Sequence, residues 1–176
     1  MRIKGRGIGS EGSLDPSKYM KQFTRKKHRL KPSCYIGFVR VTITICIKDK
    51  KTVFVKDKIC NAVLKFLQEE LQKERIVNWA YVFMSDHIHL VLEGRNEKSN
   101  ILDAIKLFKQ KSGFWLKHNF NTTWQESFYD HIHRKDDKLR EHIKYIFENP
   151  VRKKLVKEFR EYRYLGSLDY KIEDII

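Results

Sequence analysis

Apolar residues follow two different periods along the middle of the chain, and each period predicts one kind of secondary structure. Residues 35–47 are rich in Val, Ile, Thr and Phe, which predicts a first strand. Apolar side chains then recur every third or fourth residue, which predicts a helix of about twenty residues. The residues that define this helix are Ile59, Val63, Phe66, Leu67 and Leu71.

Two further apolar runs, residues 76–84 and 88–93, are separated only by Ser85 and Asp86. They predict an antiparallel pair of strands with a tight connection. Asn100 is expected to begin a second helix with Asp103 as its capping partner. The period of that helix is given by Ile101, Ile105 and Phe108.

The last part of the pattern predicts one more strand and one more helix. Residues 127–132 predict the fourth strand, and a third helix is expected from about Asp136 until Pro150 ends it at Asn149. The order β-α-β-β-α-β predicts an α+β fold, a ferredoxin-like split βαβ sandwich. In that fold helices cover one face of an antiparallel sheet, and the other face is left open for a site.

Composition divides the chain into three parts. Residues 1–21 contain four of the eight glycines and predict a flexible, Gly-rich leader. Residues 22–156 carry the predicted elements and form the expected domain. Residues 157–176 are a C-terminal extension, mixed and aromatic, in which the pattern places no element.

The charge of the chain is strongly positive. Lys and Arg number 37 against 22 Asp and Glu, a formal net charge of +15, and such an excess favours a nucleic-acid partner. An anionic membrane surface would need a basic amphipathic helix with a Trp and Leu face, which the sequence does not show. Cys34, Cys46 and Cys60 are odd in number and widely spaced, which indicates reduced thiols in a cytoplasmic protein.

Three basic clusters are candidates to follow a phosphate backbone, although each could also be a solvated charged face. They comprise Arg25, Lys26, Lys27 and Arg29, then Arg134 and Lys135, then Arg152 and Lys153. Trp124 and Phe128 are candidates to stack on an unpaired base. For both aromatic side chains core packing is the favoured interpretation.

The triplet His87-Ile88-His89 lies inside an apolar run. Because side chains alternate along a strand, both histidines project to one face while Ile88 enters the core. Two such imidazoles can hold one divalent cation; they suit Mn, Zn, Fe or Ni, and with carboxylate or amide oxygen the site could take Mn or Mg. The alternative is a pair of polar residues on a solvent-facing strand.

The tetrapeptide Asp86 to His89 occurs a second time, as residues 130–133. This copy, with His131 and His133, leads directly into a charged turn and lacks a downstream apolar strand. We therefore interpret it as a strand end that could face phosphate, and we prefer the first copy as the metal pair.

The third helix offers a nucleophile. At about 100° per residue its apolar side chains share a core-facing stripe, whereas Tyr145 and Asn149 share another face. A tyrosine hydroxyl becomes a competent nucleophile when a metal withdraws charge from the phosphate that it attacks. Asn149 could supply an amide oxygen to that cation. The alternative is a surface tyrosine beside a capping asparagine.

Three motifs together resemble the single-tyrosine HUH transposases, and in particular their REP-associated branch. They are HIH within an apolar strand, WQESFYDHIHR at residues 124–134 and HIKYIFENPVRKKLV at residues 142–156. The resemblance covers residues 22–156 and implies the ferredoxin-like fold with a catalytic helix after the fourth strand. His133 departs from the branch, which more often has an aliphatic residue there, and the Gly-rich leader and early strand region also match poorly.

The resemblance implies His87, His89 and Asn149 as ligands of Mg²⁺ or Mn²⁺ and Tyr145 as the nucleophile. It implies cleavage and rejoining of single-stranded DNA at hairpin-flanked sites through a 5′-phosphotyrosine and a free 3′-OH. A monomer is favoured, and neither a membrane nor a small-molecule cofactor is expected. The alternatives are an obligate-dimer insertion-sequence transposase and a non-catalytic single-stranded nucleic-acid-binding domain.

Overall fold

The computed structural model describes residues 30–133 and 138–176, and its centre is one antiparallel sheet of five strands. The strands are β1 (Arg40–Cys46), β2 (Ile76–Met84), β3 (His87–Gly94), β4 (Tyr129–Ile132) and β5 (Leu165–Gly166). Their order in the sheet is β4-β1-β3-β2-β5. The first four strands have the order of a ferredoxin-like sheet, so the predicted fold class is confirmed.

Three helices of more than two turns join these strands. They are α1 (Asp57–Lys73), α2 (Ile101–Phe120) and α3 (Leu139–Phe147). Single helical turns follow at Asn149–Arg152 and Ile172–Ile175, and 3₁₀ turns lie at Pro32–Tyr35, Lys48–Lys50 and Phe159–Glu161. The predicted start of α2 is confirmed, since the Asn100 side chain accepts a hydrogen bond of 3.2 Å from the backbone N–H of Asp103.

The end of α3 differs from the prediction. The helix stops at Phe147, and Pro150 lies in the first turn of the segment Asn149–Arg152 and does not end the helical path. Proline is tolerated there because the first N–H groups of a helix need no partner inside it. The predicted start near Asp136 lies outside the described residues.

The sheet has an apolar core on each face. On one face, alternate residues of the central strands, including Ile43, Ile88 and Leu90, pack against α1 and α2. On the other face, Val82 and Val91 pack against α3. The prediction of helices on one face therefore holds for α1 and α2 and is wrong for α3, because the apolar stripe of α3 needs its own apolar partner.

The C-terminal segment, which the sequence pattern left unassigned, completes the sheet. Leu165 and Gly166 pair with β2, and the Tyr162 hydroxyl donates a 2.9 Å hydrogen bond to the carbonyl of Phe83. A Cβ at position 166 would lie 2.8 Å from the Tyr81 hydroxyl, so glycine allows this close approach without displacing the tyrosine ring. Residues 157–176 thus pack as part of the same domain.

Candidate active site

The two histidines of the first triplet lie on β3 as predicted. In the register of β1 and β3, Thr44 is opposite His89 and Cys46 is opposite His87. Ile88 has no exposed surface and belongs to the core on the other face of the sheet. Its burial fixes which way the strand faces, and therefore fixes the side from which both imidazoles project.

The two imidazoles converge on one point. The Nε2 atoms of His87 and His89 are 3.1 Å apart. Two nitrogens bound to one cation at about 2.1 Å and about 90° from each other would be separated by about 3 Å. The pair therefore fits two adjacent ligands of a single cation, and the same distance also allows one Nε2–H to donate to the other ring.

Each Nδ1 atom has a partner that orients its ring. Nδ1 of His87 lies 2.6 Å from the Asp86 carboxylate, and Nδ1 of His89 lies 2.8 Å from the Thr44 hydroxyl. A carboxylate only accepts, so His87 carries its proton on Nδ1 and directs the Nε2 lone pair toward His89. The hydroxyl can donate or accept, so His89 is able to take the same tautomer when a cation binds.

The local electrostatics keep His89 neutral. Burial, followed by the charges of His87, Arg152 and His142 in that order, lowers the pKa of His89 to about 3. A neutral imidazole is the form that binds a metal, so protons do not compete for this ligand near neutral pH.

The nucleophile candidate lies on the helix that covers this face. Tyr145 is half-buried beside the apolar stripe of Ile143, Ile146 and Phe147, which are each at most 2% exposed. This stripe packs in the same cluster as Val91, which is two residues after His89 and on the same face. The helical phase predicted from the sequence is therefore confirmed, and α3 shares a face with the histidine pair.

Asn149 is held by two hydrogen bonds at the end of this helix. Its Nδ2 donates to the carbonyl of Ile146 at 2.9 Å, and its Oδ1 accepts from Arg152 at 2.8 Å. Within residues 30–133 and 138–176, no group of three His, Cys, Asp or Glu side chains has a metal-binding arrangement.

The second His-Ile-His lies at the end of β4, as predicted. One of its histidines is buried, so it does not face outward toward a phosphate as that interpretation allowed. His133 is 8% exposed, lies 2.7 Å from the Thr42 hydroxyl through Nε2, and has its ring 4.4 Å from that of His142. His131 is half-buried on the same face, with its ring 6.2 Å from His142. These imidazoles pack between β4 and α3, since this end of the sheet is covered by the helix.

The core packing favoured for Trp124 is confirmed, and the alternative of a DNA contact by stacking on a base is wrong. Its side chain is 5% exposed, its ring lies 5.6 Å from Phe54 and 5.7 Å from Phe108, and its Nε1–H donates to Ser112 at 2.8 Å. Phe128 is also buried, at 8% exposure. Aromatic side chains with this burial stabilise the core and cannot receive a base.

The basic clusters are only partly described. Lys153 is exposed, as a phosphate contact requires. Arg152 is turned toward Tyr145, with its Cζ 3.9 Å from the ring centroid. Six predicted DNA contacts lie outside the described residues, namely Arg25, Lys26, Lys27, Arg29, Arg134 and Lys135.

Sequence patterns did not identify Thr44 or the inward contacts of Arg152. Thr44 is recognised only from the pairing of β1 with β3, and the Arg152 contacts depend on the turn at Asn149–Arg152.

In the described part of the chain, no helix is both long enough and apolar enough to cross a membrane.

Comparison with known proteins identifies the family and the fold of the chain. The family model described as IS200-like transposase matches residues 38–149. A REP-associated tyrosine transposase of Haemophilus influenzae is 24% identical over 133 residues, which are 69% of this chain and 75% of the relative. A solved REP-associated tyrosine transposase bound to a REP hairpin has 16% identity and a TM-score of 0.68, over 80% of this chain and 82% of that chain. The structural likeness confirms the fold.

Proposed function

The chain belongs to the IS200-like transposase family, and on that basis we propose that it cleaves and rejoins single-stranded DNA with Tyr145 as nucleophile. The observation that carries the proposal is the convergence of His87 and His89, with Nε2 atoms 3.1 Å apart, on the face that α3 covers. A pair of solvent-facing polar residues would need neither convergent Nε2 atoms nor a hydrogen-bond partner on each Nδ1.

We propose that His87, His89 and the amide oxygen of Asn149 hold Mg²⁺ or Mn²⁺. The donor set fits these cations, since two neutral imidazoles and an amide oxygen leave positions for phosphate oxygen and water. When bound, the cation withdraws charge from the phosphate and orients it for in-line attack. Asp86 and Thr44 keep the imidazoles directed to the same point.

The proposed reaction exchanges one phosphodiester for another. The Tyr145 hydroxyl oxygen attacks phosphorus, a bond from tyrosine oxygen to phosphorus forms, and the bond from phosphorus to the 3′ oxygen breaks. The proton lost by the phenol is balanced by the proton that the leaving 3′ oxygen gains as a 3′-OH. The 5′-phosphotyrosine conserves the bond, so a 3′-OH can reverse the step without ATP.

We propose single-stranded DNA with a hairpin as the substrate. The net charge of +15 supports a polyanionic partner, and the structural relative was solved with a REP hairpin. We also propose that the monomer contains a complete site. This is supported by α3, which packs its apolar stripe against β2 of its own chain.

Covalent trapping tests the proposal. A pool of hairpin oligonucleotides with randomised flanking single strands is incubated with the protein and Mg²⁺ or Mn²⁺, and adducts are detected on a denaturing gel. We expect an adduct with the wild type and with Tyr129→Phe, and none with Tyr145→Phe or His87→Ala. An adduct that persists in Tyr145→Phe but is lost in Tyr129→Phe would refute the nucleophile assignment.

Two other functions predict different results. A non-catalytic binding domain would bind the pool without any adduct. An obligate dimer that exchanges α3 would elute at twice the mass by size exclusion with light scattering. Its activity would be restored by mixing Tyr145→Phe with His87→Ala subunits.

A further inference from the structure

We propose that Arg152 is a positioning residue that holds Tyr145 and Asn149 in their working arrangement, and is not primarily a DNA phosphate contact. The inference rests on the proposed function of those two residues. It assigns to Arg152 a role inside the site, although Arg152 lies in a run of exposed basic residues with Lys153 and Lys154.

The guanidinium of Arg152 contacts both residues at once. Its Cζ lies 3.9 Å from the centre of the Tyr145 ring, within the range of a cation–π contact. One of its nitrogens, Nη2, donates to the backbone carbonyl of Tyr145 at 2.7 Å and to Oδ1 of Asn149 at 2.8 Å. Glu148 lies 3.7 Å from Nη1 on the other side.

These contacts need the particular shape of arginine. A guanidinium is flat, so it can lie against an aromatic ring while its N–H groups reach acceptors at the edge of its plane. A lysine ammonium is a compact point charge with no flat surface, and it cannot stack on the ring and reach both oxygens in the same way. The arrangement therefore predicts that lysine preserves the charge at this position without preserving the geometry.

The contact to Asn149 helps to fix the orientation of its amide group. Nδ2 is committed to the carbonyl of Ile146, and Oδ1 is committed to Arg152. An amide oxygen has two lone pairs, so accepting from Arg152 leaves one for a cation. With Arg152 in place the amide is held by both ends and cannot rotate to present nitrogen in place of oxygen.

The Arg152 guanidinium makes these contacts at the surface of the protein. The Arg152 side chain is 32% exposed, and its guanidinium is engaged with the helix as described. Lys153 and Arg152 are both exposed, so the contacts to Tyr145 and Asn149, and not burial, are what assign Arg152 to the site.

The first test separates rate from affinity. Wild type, Arg152→Lys, Arg152→Gln and Lys144→Ala are compared with a hairpin oligonucleotide that the wild type cleaves. Both the adduct-formation rate at saturating DNA and the Kd are measured. Lys144 is an exposed lysine on α3, next to Tyr145 in the chain, so its removal is a matched loss of one positive charge close to the same tyrosine.

We expect Arg152→Lys to lower the rate at least tenfold while the Kd changes less than threefold. Arg152→Gln is expected to lower the rate at least as much, and Lys144→Ala to change neither quantity more than threefold. If Arg152→Lys keeps the wild-type rate and Arg152→Gln mainly raises the Kd, Arg152 is a phosphate contact and the proposal is wrong.

The second test needs neither DNA nor metal. The protein is labelled with 3-fluorotyrosine, and the ¹⁹F resonance of Tyr145 is assigned from its loss in Tyr145→Phe. We expect both Arg152 variants to shift this resonance and Lys144→Ala to leave it in place, with melting temperatures checked in parallel. A Tyr145 signal that is unchanged in both Arg152 variants overturns the proposal.

The two tests also distinguish this inference from the function on which it rests. If the Arg152 variants form the adduct at the wild-type rate, the proposed function is supported and the proposed role of Arg152 is refuted. A wild type that forms no adduct with any hairpin of the pool refutes the function, and the inference with it, even where the ¹⁹F resonance shifts.

Discussion

Thr44→Val should weaken the binding of Mn²⁺ to the histidine pair without removing either histidine. The substitution keeps the β-branched shape of the side chain and deletes only the hydroxyl that lies 2.8 Å from Nδ1 of His89. Thr44 is 7% exposed, so water has little access to take the place of the hydroxyl. His89 then loses the partner that selects its tautomer and holds its ring.

The size of the effect follows from this lost partner. A buried polar atom left without its hydrogen bond costs about 1–3 kcal/mol. Partners behind a metal-binding histidine typically contribute about 10- to 100-fold in metal affinity. Since about 1.4 kcal/mol corresponds to a factor of ten, we expect the Kd for Mn²⁺ to rise about tenfold.

Strand β1 offers a matched control for this measurement. Thr42 is on the same strand and face, is fully buried, and makes an equivalent contact of 2.7 Å to Nε2 of His133. Isothermal titration with MnCl₂ on wild type, Thr44→Val and Thr42→Val compares the two sites. Unchanged affinity in Thr44→Val, or an equal loss in Thr42→Val, would refute the assignment of the metal site to His87 and His89.

Three further predictions concern DNA binding and the core. Lys153→Ala should reduce the slope of log K against log salt by about 0.7 for a single-stranded oligonucleotide, measured by fluorescence anisotropy, and an unchanged slope would remove Lys153 from the DNA contacts. Trp124→Phe should lower the free energy of unfolding in urea by about 1 kcal/mol through the lost bond to Ser112. A fivefold loss of DNA affinity in this variant would contradict the burial argument. Glu70→Gln should lower the free energy of unfolding by about 1–3 kcal/mol at pH 7. Burial alone would raise the pKa of Glu70, but hydrogen bonds from Lys111 and Lys73 outweigh burial and lower the pKa. A lowered pKa in the folded state contributes stability above the unfolded pKa of about 4.3, so the difference between wild type and Glu70→Gln should shrink as the pH falls through that value. A difference that is the same at pH 7 and pH 3 would contradict this.

The spacing of apolar residues predicted the strands and helices that are long enough for the apolar pattern to repeat within them. Strand β2 was predicted with its observed bounds, Ile76–Met84, because nine residues of apolar character end abruptly at a polar turn. Strand β5 has only two residues and carries no period, so its place in the sheet depends on contacts made elsewhere. Tyr162 and the carbonyl of Phe83 supply such a contact, and they are 79 positions apart in the chain.

The candidate site was predictable to the extent that it depends on local geometry. Alternation along β3 placed both histidines on one face, and helical phase placed Tyr145 away from the apolar stripe of α3. Thr44 could be identified only once the register between β1 and β3 was known, because the alternation within either strand does not determine how the two strands pair. Core packing was favoured for Trp124, but stacking on a base stayed open as an alternative, because an aromatic residue near charged residues has the same local sequence whether it is buried or exposed.

The two cores explain how one small domain can hold the proposed metal pair and the proposed nucleophile in a fixed relation. Ile88 and Leu90 anchor β3 in the core beneath α1 and α2, and this fixes the histidines that project from the opposite face. Val91 points to that opposite face and packs with α3, which carries Tyr145. Because a single strand takes part in both cores, the packing of α3 sets the position of the nucleophile relative to the imidazoles. The contacts of Arg152 then act on side chains whose backbone is already in place.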